Sequence, residues 1–390
     1  MINTEVLFDK GLRDKSWSDW KWQQRHAIRS VEDLLTIFPN IPLHQVEAIR
    51  KNLKSRRFQI TPYYLSLIRR NGDGQSPDPA DPMWRMIVPY WESEGRESYS
   101  YDGHTENWEL NHEMVTPIAQ HKYDNRIIVR LSNVCYAYCQ FCYEALRTIE
   151  KKSNKLMFQK QYWDATVEYV RQHREVEEVI LSGGEPLMHD DTQLGEFLGD
   201  LRAVGRWVAI RIHTRALTFN PFRITDELTE CLQKYEVNAI GVHVAHPNEI
   251  TPEFRQAAKK IQGVVPIMFA NIPLLRGIND NIETMHELGM KLYSVGIIPQ
   301  YLYHFMPHSP GALEFRTRVQ TGVDIIRGLK RRISNLAVPE FVLPHYTGKH
   351  TMPLLAEDEK PPYRTYDNHG NPVIRYSNWR GEIVDYLDAR

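Results

Sequence analysis

Short apolar runs alternate with stretches of helical periodicity from residue 126 onwards. The runs that predict β-strands lie at residues 127–131, 179–181, 208–212, 239–244, 264–270 and 297–303. The patterns that predict helices lie between them, near residues 159–173, 192–203, 225–235, 251–262 and 281–294. Strands that alternate with helices favour a parallel sheet with right-handed crossovers. Because six such units can be counted, the expected fold class is α/β, with a partial (β/α)6 barrel.

The N-terminal part of the chain is polar, has a helical character and contains several helix-start signals. Ser30 precedes Asp33 by three residues, which is a capping-box spacing. Pro42 and Pro62 predict two further helix starts, and residues 71–82 have the composition of a loop. The expected organisation is a helical N-terminal region over 1–110, a barrel over 111–345 and a short C-terminal extension over 346–390.

The composition narrows the class of protein. Of 390 residues, 42% are hydrophobic and 25% are charged, which suits a globular chain with a substantial core. The formal net charge of −1 argues against nucleic acid as a main partner. No signal peptide is expected at the N-terminus, and no apolar run reaches membrane-spanning length. Three of the four cysteines are clustered, which disfavours a disulfide framework and favours a cytoplasmic location.

The clustered cysteines follow the first predicted strand of the barrel. Cys135, Cys139 and Cys142 have the spacing C-x3-C-x2-C, which can turn three thiolates onto one centre. Thiolates are soft ligands that suit an iron–sulfur cluster or zinc, and three of them leave one metal position open. Two alternatives are a group of ordinary buried cysteines and a zinc site completed by a distant histidine. Tyr138 and Phe141, which lie between the cysteines, would shield a cluster from water.

Other polar and small residues fall at the ends of the predicted strands. In barrels of this type, function is found at the C-terminal ends of the strands. Besides the cysteine loop, the residues at or just past those ends are Gly183, Thr214, His243, Asn271 and His304. The sequence therefore predicts a functional site at this end of the barrel.

The cysteine spacing resembles that of the radical S-adenosylmethionine (radical SAM) enzymes, and a second motif strengthens the resemblance. Ser182, Gly183, Gly184 and Glu185 form a GGE-type segment at the end of the second predicted strand. The resemblance implies a 4Fe–4S cluster on the three cysteines, with S-adenosylmethionine (AdoMet) on the fourth iron and its amino group at the GGE segment. It further implies AdoMet contacts from Thr214, His243 and Asn271. For His243 the alternative is an ordinary core histidine.

Within the radical SAM enzymes, the chain resembles the lysine 2,3-aminomutase family. The similar segments are residues 19–23, 60–68, 246–251, 274–280, 315–317 and 338–342. They occur in order over roughly residues 16–355. Members of that family use a 4Fe–4S cluster, AdoMet and pyridoxal 5′-phosphate (PLP) to move an amino group between C2 and C3 of an amino acid.

The resemblance also implies a PLP site. Lys349 stands where the family has its Schiff-base lysine, although the preceding loop is shorter and has fewer glycines. A partly buried site is expected because it favours the neutral amine. Lys122, Tyr123 and Arg126 match a segment that contacts the PLP phosphate in relatives. The alternatives are a solvated lysine at Lys349 and a surface basic pair at Lys122.

At several positions where relatives bind the substrate, this chain has residues that differ from the family pattern. Where lysine-specific relatives hold the substrate carboxylate with an arginine, this chain has Glu144, and the nearest arginine is Arg147. In those relatives, two aspartates pair with the side-chain ammonium of the substrate lysine. The corresponding positions in this chain lie at or near Met306 and Pro344. Because a buried ammonium without a carboxylate is costly, ordinary lysine is not the expected substrate. The C-terminal zinc-binding cysteines of relatives are absent, and Cys231 is expected to be a helical core residue.

The resemblance predicts a PLP-dependent radical SAM 2,3-aminomutase whose substrate is an amino acid other than ordinary lysine. The alternative within the superfamily uses the same radical for epimerisation, elimination or dehydrogenation. A metal-stabilised binding module without catalysis is the candidate from another class, and the clustering of functional residues at strand ends argues against it. The expected partners are a small-molecule amino acid, an electron donor for the cluster and a second copy in a homo-oligomer.

Overall fold

The computed structural model describes residues 4–91, 109–151, 157–307, 309, 311–352, 364–377 and 382–389. These residues divide into two compact units. The first unit lies within residues 1–92, 111–243 and 248–269, and the second within 93–110, 244–247 and 270–390.

The N-terminal part of the first unit is helical, as the sequence predicts. Its helices are α1 (Thr4–Phe8), α2 (Trp20–Arg25), α3 (Val31–Ile37), α4 (Leu43–Leu53), α5 (Pro62–Leu65) and α6 (Pro82–Ile87). The predicted helix starts are confirmed. The Ser30 hydroxyl accepts a hydrogen bond from the Asp33 amide at 3.0 Å, and Pro42 directly precedes α4. Thr61 caps α5, whose first residue is Pro62.

The first unit also contains a mixed sheet with a parallel core. Its strands are β1 (Met114–Thr116), β2 (Ala119–Tyr123), β3 (Arg126–Ser132), β4 (Glu178–Gly183), β5 (Ala209–Thr214) and β6 (Ala239–His243). Strands β1 to β3 pair antiparallel, and β3 to β6 pair parallel. Ile127, Val129 and Leu131 of β3 are fully buried, which explains why this part of the sequence is a short apolar run.

Helices connect the parallel strands of the first unit. They are α7 (Ala145–Thr148), α8 (Lys160–Gln172), α9 (Asp191–Arg202), α10 (Ala216–Phe219), α11 (Asp226–Lys234) and α12 (Pro252–Gln262). Asp190, Thr225 and Thr251 each cap the helix that follows with a side-chain oxygen. The seventh strand, β7 (Ile267–Pro273), starts three residues later than predicted. The Val265 amide donates to the Ile261 carbonyl and prolongs the turn that ends α12.

The second unit continues the alternation and then ends in strands. Its elements are α13 (Ile282–Ser294), β8 (Ile298–Tyr303), α14 (Ala312–Phe315), α15 (Val319–Lys330), β9 (Glu340–His345), β10 (Gly348–Thr351), β11 (Arg364–Tyr366), β12 (Pro372–Ser377) and β13 (Ile383–Leu387). Strands β8 and β9 are parallel, and β9 and β10 form an antiparallel hairpin. Strands β11, β12 and β13 form a separate antiparallel sheet, which we name the C-terminal sheet.

The α/β class with a mostly parallel sheet and a helical N-terminal region is therefore confirmed. The C-terminal sheet was not predicted, because the sequence analysis assigned only a short extension there. The segment boundaries 1–110, 111–345 and 346–390 remain a prediction. Among the described helices, none has both the length and the apolar character needed to cross a bilayer.

Candidate active site

The three clustered cysteines lie in the loop that follows β3, and this loop is held by the N-terminal helical region. Gln59 makes three hydrogen bonds to the loop: its side-chain amide donates to the Cys135 carbonyl at 2.9 Å and the Tyr136 carbonyl at 3.2 Å, and its main-chain carbonyl accepts from the Tyr138 amide. The Cys142 amide donates to the Cys139 carbonyl at 3.2 Å, which tightens the end of the loop. The structure thus brings all three cysteines onto one short, backbone-anchored loop.

Burial changes the acid–base behaviour of these cysteines. It raises the pKa of the Cys135 and Cys139 thiols, and it raises the pKa of Cys142 to about 12. Burial by itself therefore favours neutral thiols. A metal centre reverses this preference because its positive charge stabilises thiolates. The donor set, three soft sulfurs on one loop, fits an iron–sulfur cluster.

Two glycines at the end of β4 allow the cysteine loop to approach closely. Gly183 has φ +110, and a Cβ atom there would lie 2.6 Å from the Ser132 carbonyl oxygen. A Cβ atom on Gly184 would lie 2.5 Å from the Val134 carbonyl oxygen. The Gly184 amide instead donates to that Ser132 carbonyl. Any side chain at either position would push the cysteine loop away from β4.

Glu185 follows the two glycines and is enclosed by hydrogen-bond donors. Its carboxylate accepts from the Thr214 hydroxyl at 2.7 Å, the Arg215 amide at 2.8 Å and the Leu187 amide at 3.0 Å. Burial nevertheless raises the pKa of Glu185 to about 7. Ser182 is buried in β4, three residues before Glu185. The structure therefore brings Glu185 and Thr214 together, and the assignment of all three residues to AdoMet remains a prediction.

Arg215 forms a buried ionic contact that the sequence analysis did not include. One guanidinium nitrogen donates to the Cys139 sulfur at 3.4 Å, and another pairs with Glu249. The guanidinium carbon also lies 5.1 Å from the Phe141 ring centre. A positive charge held here favours the thiolate form of Cys139. The available signal was the position of Arg215 directly after β5, where functional residues of such barrels occur.

His243, at the end of β6, presents a buried nitrogen. Its Nε2 atom has no hydrogen-bond partner among the described residues. Burial, with a contribution from the Arg215 charge, lowers the pKa of His243 to about 4, so the ring is neutral near pH 7. Its ring centre lies 5.4 Å from that of His213. A buried polar atom without a partner in the described chain supports a ligand contact at this position.

Lys122, Tyr123 and Arg126 lie together around the turn between β2 and β3. The Lys122 side chain is only 4% exposed, and its Nζ atom is 2.8 Å from a Glu113 carboxylate oxygen. The alternative of a surface basic pair is therefore wrong for Lys122, because the lysine is buried with an acidic partner. The Arg126 guanidinium lies 4.1 Å from the Tyr123 ring centre. Their assignment to a phosphate remains a prediction.

Glu144 is buried within its own network of charges. The Arg130 guanidinium donates to its carboxylate at 3.1 Å and 3.2 Å, and Arg147 lies 3.9 Å away. Arg147 also donates to the Pro117 carbonyl at 3.0 Å. Arg130 was not among the site residues predicted from the sequence. The signal was a single charged residue within the apolar run of β3.

The Lys349 region belongs to the second unit. The Lys349 amine donates to the Tyr303 hydroxyl at 3.1 Å and lies 4.6 Å from the Tyr301 ring centre. Lys349 is exposed, which corrects the expectation of a partly buried site. The physical reason is strand alternation: Gly348, with φ +134, is buried, and the next side chain points outward. Pro344 is the strand partner of Lys349 across the hairpin.

Three further predicted residues have clear positions. Met306 is buried after β8, in the second unit. Asn271 is buried in β7, and its Oδ1 atom has no hydrogen-bond partner among the described residues. Cys231 lies on α11 as expected, where it is only partly buried, and its sulfur is 3.8 Å from the Asp191 carbonyl oxygen.

Comparison with known proteins agrees with this geometry. Residues 129–289 match the radical SAM superfamily. The L-lysine 2,3-aminomutase of Clostridium subterminale is 32% identical over 391 residues, which cover 100% of this chain and 88% of that protein. The chain belongs to the lysine 2,3-aminomutase family.

Other members of the family are similar at comparable levels. The L-lysine 2,3-aminomutase of Acetoanaerobium sticklandii is 32% identical, with 97% of this chain and 86% of that protein covered. The glutamate 2,3-aminomutase of Clostridioides difficile is 28% identical, with 96% of this chain and 84% of that protein covered. Membership of a radical SAM family supports AdoMet and a 4Fe–4S cluster as cofactors. The three-sulfur loop and the glycine turn behind it fit both groups.

Proposed function

We propose that this protein is a PLP-dependent radical SAM aminomutase that moves an amino group between C2 and C3 of an amino acid other than ordinary lysine. The observation that carries the proposal is the partly buried three-cysteine loop packed against Gly183 and Gly184. It occurs in a chain that aligns with 2,3-aminomutases of two substrate types, over 100% of its length with a lysine enzyme and 96% with a glutamate enzyme.

Each cofactor would have its own residues. Cys135, Cys139 and Cys142 would hold the cluster, and the residues from Ser182 to Glu185, with Thr214, His243 and Asn271, would bind AdoMet. Lys349 would bind PLP, with Lys122, Tyr123 and Arg126 at its phosphate. When bound, the cluster and AdoMet supply a carbon radical, and PLP carries the migrating nitrogen.

The protein residues would bind, orient and exclude water. Tyr138 and Phe141 are buried within the cysteine loop and limit the access of water to it. Arg215 holds a positive charge beside Cys139, and Glu249 keeps Arg215 in place. Glu185 is fixed by three donors, so its carboxyl group needs no reorientation when a ligand amine arrives.

The substrate proposal rests on the residues that differ from the lysine-specific pattern. Glu144 pairs with Arg130 and carries a negative charge where a substrate carboxylate would need a positive one. Met306 and Pro344 offer no charge to a side-chain ammonium. Loss of a charge-assisted contact costs about 1.5–3 kcal/mol, which corresponds to about tenfold to a hundredfold in affinity. Arg147 is the candidate partner for the carboxylate of the true substrate.

An anaerobic competition assay tests this proposal. The purified protein with reductant, AdoMet and PLP is given an equimolar panel of amino acids, and β-amino acid products are measured by mass spectrometry. We expect lysine to be turned over poorly and an amino acid with a shorter or less cationic side chain to be converted faster. Arg147→Ala should lower that conversion, whereas Arg171→Ala, at an exposed helical ion pair, should not.

The outcomes separate the alternatives. Lysine as the fastest substrate, with Arg147→Ala unchanged, contradicts the substrate proposal. Formation of 5′-deoxyadenosine with a product other than a β-amino acid would favour epimerisation, elimination or dehydrogenation instead. A cytoplasmic location, a homo-oligomer and the identity of the electron donor remain predictions that this assay does not address.

A further inference from the structure

Two tyrosines of the C-terminal sheet contact the residues next to Lys349 and Tyr303. Lys349 and Tyr303 are joined by the 3.1 Å hydrogen bond between their amine and hydroxyl groups. The residue after Lys349 is His350, and the residue after Tyr303 is His304. Each of these two histidines has a tyrosine of the C-terminal sheet as its partner.

The first contact is a stack between His350 and Tyr376. The two ring centres are 3.8 Å apart, and the ring planes differ by 14°. Burial lowers the pKa of His350, so the ring is uncharged near neutral pH. Burial also raises the pKa of Tyr376. Two neutral rings in parallel contact hold strand β10 to strand β12.

The second contact is a hydrogen bond between His304 and Tyr386, both of which are buried. The Nε2 atom of His304 lies 2.9 Å from the Thr317 carbonyl oxygen, so Nε2 carries the proton. Nδ1 is then the acceptor, and the Tyr386 hydroxyl is the donor. Burial lowers the pKa of His304 to about 3, which agrees with a neutral ring. Arg316 strengthens this attachment by donating to the Leu387 carbonyl.

Both tyrosines project from the same face of the C-terminal sheet. In the register of β12 and β13, Ile374 pairs with Tyr386 and Tyr376 pairs with Val384. Because alternate residues of a strand share a face, Tyr376 and Tyr386 are diagonal neighbours on one face.

The opposite face of the same sheet is different. It carries the ion pair of Arg375 and Asp385, with nitrogen–oxygen distances of 2.6 Å and 2.7 Å. One face of the sheet therefore presents Tyr376 and Tyr386 to the two histidines, and the other face carries the Arg375–Asp385 ion pair.

We propose that Tyr376 and Tyr386 are positioning residues that hold Lys349 and Tyr303 in register for the PLP aldehyde. The proposal rests on the proposed function of Lys349 as the PLP lysine. Lys349 is an exposed side chain on β10, the strand that ends the sheet beside β9, and an exposed lysine has rotamer freedom that must be restricted before it can be held in one direction. The two tyrosine–histidine contacts act on the adjacent backbone positions and restrict the hairpin from outside.

A double-mutant cycle tests the His350–Tyr376 contact. The variants are Tyr376→Ala, His350→Ala and their combination, with Tyr376→Phe as the conservative variant that keeps the ring. Tyr366→Ala is the matched control, because Tyr366 is 68% exposed in the same sheet. The readout is the PLP concentration at which borohydride leaves half of Lys349 labelled with a pyridoxyl group.

We expect each alanine variant to need about threefold to tenfold more PLP, which is the factor that such an aromatic contact contributes. The double variant should lose no more than either single variant, because both remove the same contact. Tyr376→Phe and Tyr366→Ala should behave as the wild type. Iron content is measured throughout and should not change, since the cysteine loop belongs to the first unit.

A second readout needs no cofactor. Amide hydrogen exchange in the β9–β10 hairpin should become about threefold to tenfold faster in Tyr376→Ala and His350→Ala. Tyr386→Phe, which removes the hydroxyl donated to His304, should speed exchange at residues 303–305 in the same way. If exchange in these segments is unchanged, or if Tyr366→Ala alters it equally, the positioning proposal is wrong. A wild type that takes no label on Lys349 but shows the exchange effects would refute only the proposed function.

Discussion

The loop of Cys135, Cys139 and Cys142 is partly buried and anchored by hydrogen bonds to its backbone, whereas Lys349 presents an exposed side chain on the strand β10. In the first region, Gln59, Gly183 and Gly184 contact the loop directly. In the second, the exposed Lys349 amine contacts the side chains of Tyr301 and Tyr303. The two regions therefore achieve order by different means.

The chemistry expected of each region explains the difference. A cluster that generates a radical must be kept from water, so burial and a closely packed turn are required. A lysine that binds a diffusible cofactor must be reachable, so its amine cannot be enclosed in the same way. In our proposal, the C-terminal sheet adds order beside Lys349 and Tyr303 through its contacts with His350 and His304. The Lys349 side chain is thus accessible, while the contact with the C-terminal sheet is made by the adjacent residue, His350.

The largest expected effect comes from removing a cysteine. Cys139→Ala should abolish cluster iron and the cleavage of AdoMet, because two sulfurs cannot hold the cluster. The fold and the pyridoxyl label on Lys349 should persist, since the core of the sheet does not include the loop. Iron analysis, 5′-deoxyadenosine assay and peptide mapping provide the measurements. Cys231→Ala is the control and should retain full iron. Normal 5′-deoxyadenosine formation in Cys139→Ala would contradict the cluster assignment.

The converse substitution tests the other region. Lys349→Ala should lose amino migration and the pyridoxyl label, because no other group at that position can bind the aldehyde. Iron content and reductive cleavage of AdoMet should remain near the wild-type level. Lys330→Ala, at an exposed position on α15, serves as the control. A pyridoxyl label on a different lysine in the wild type would show that Lys349 has been assigned wrongly.

The buried charges beside the cysteine loop predict a stability effect. Glu144→Gln should lower the free energy of unfolding by about 3–5 kcal/mol, because Arg130 would keep its buried charge without a full partner. Glu168→Gln, at an ion pair with both side chains about half exposed, should change it by less than about 1 kcal/mol. Urea unfolding of the cluster-free protein measures both. Equal effects would mean that the Glu144 network is not a buried one in solution.

The smallest of these effects depends on pH. The pKa of Glu185 is about 7 in the folded chain, compared with an ordinary value of 4.5. The folded state therefore binds more protons than the unfolded state between these values, and its stability falls as the pH rises through that window. Glu185 should contribute about 3 kcal/mol to this fall. Glu185→Gln should remove that contribution in urea unfolding between about pH 4.5 and 7, and Glu168→Gln should not. An identical pH profile for Glu185→Gln and the wild type would contradict the raised pKa.

The sequence by itself determined the local features of this protein. The alternation of apolar runs and helical patterns depends on residues a few positions apart, and so do the caps at Ser30 and Thr61. The cysteine spacing and the two glycines are also local, because one loop and one turn carry them. Family resemblance added the expected role of Lys349, which lies at a position that the alternation alone does not mark.

Only the tertiary structure decided which distant side chains share an environment. Arg215 reaches Cys139 across 76 residues, and Tyr386 reaches His304 across 82. Residue type does not specify burial: Lys122 is enclosed with Glu113, whereas Lys349 is exposed. The pKa values of Glu185 and His243 likewise depend on desolvation, which arises when separate elements pack around a group. Such contacts depend on how the elements assemble in space, and the local sequence pattern carries no record of that assembly.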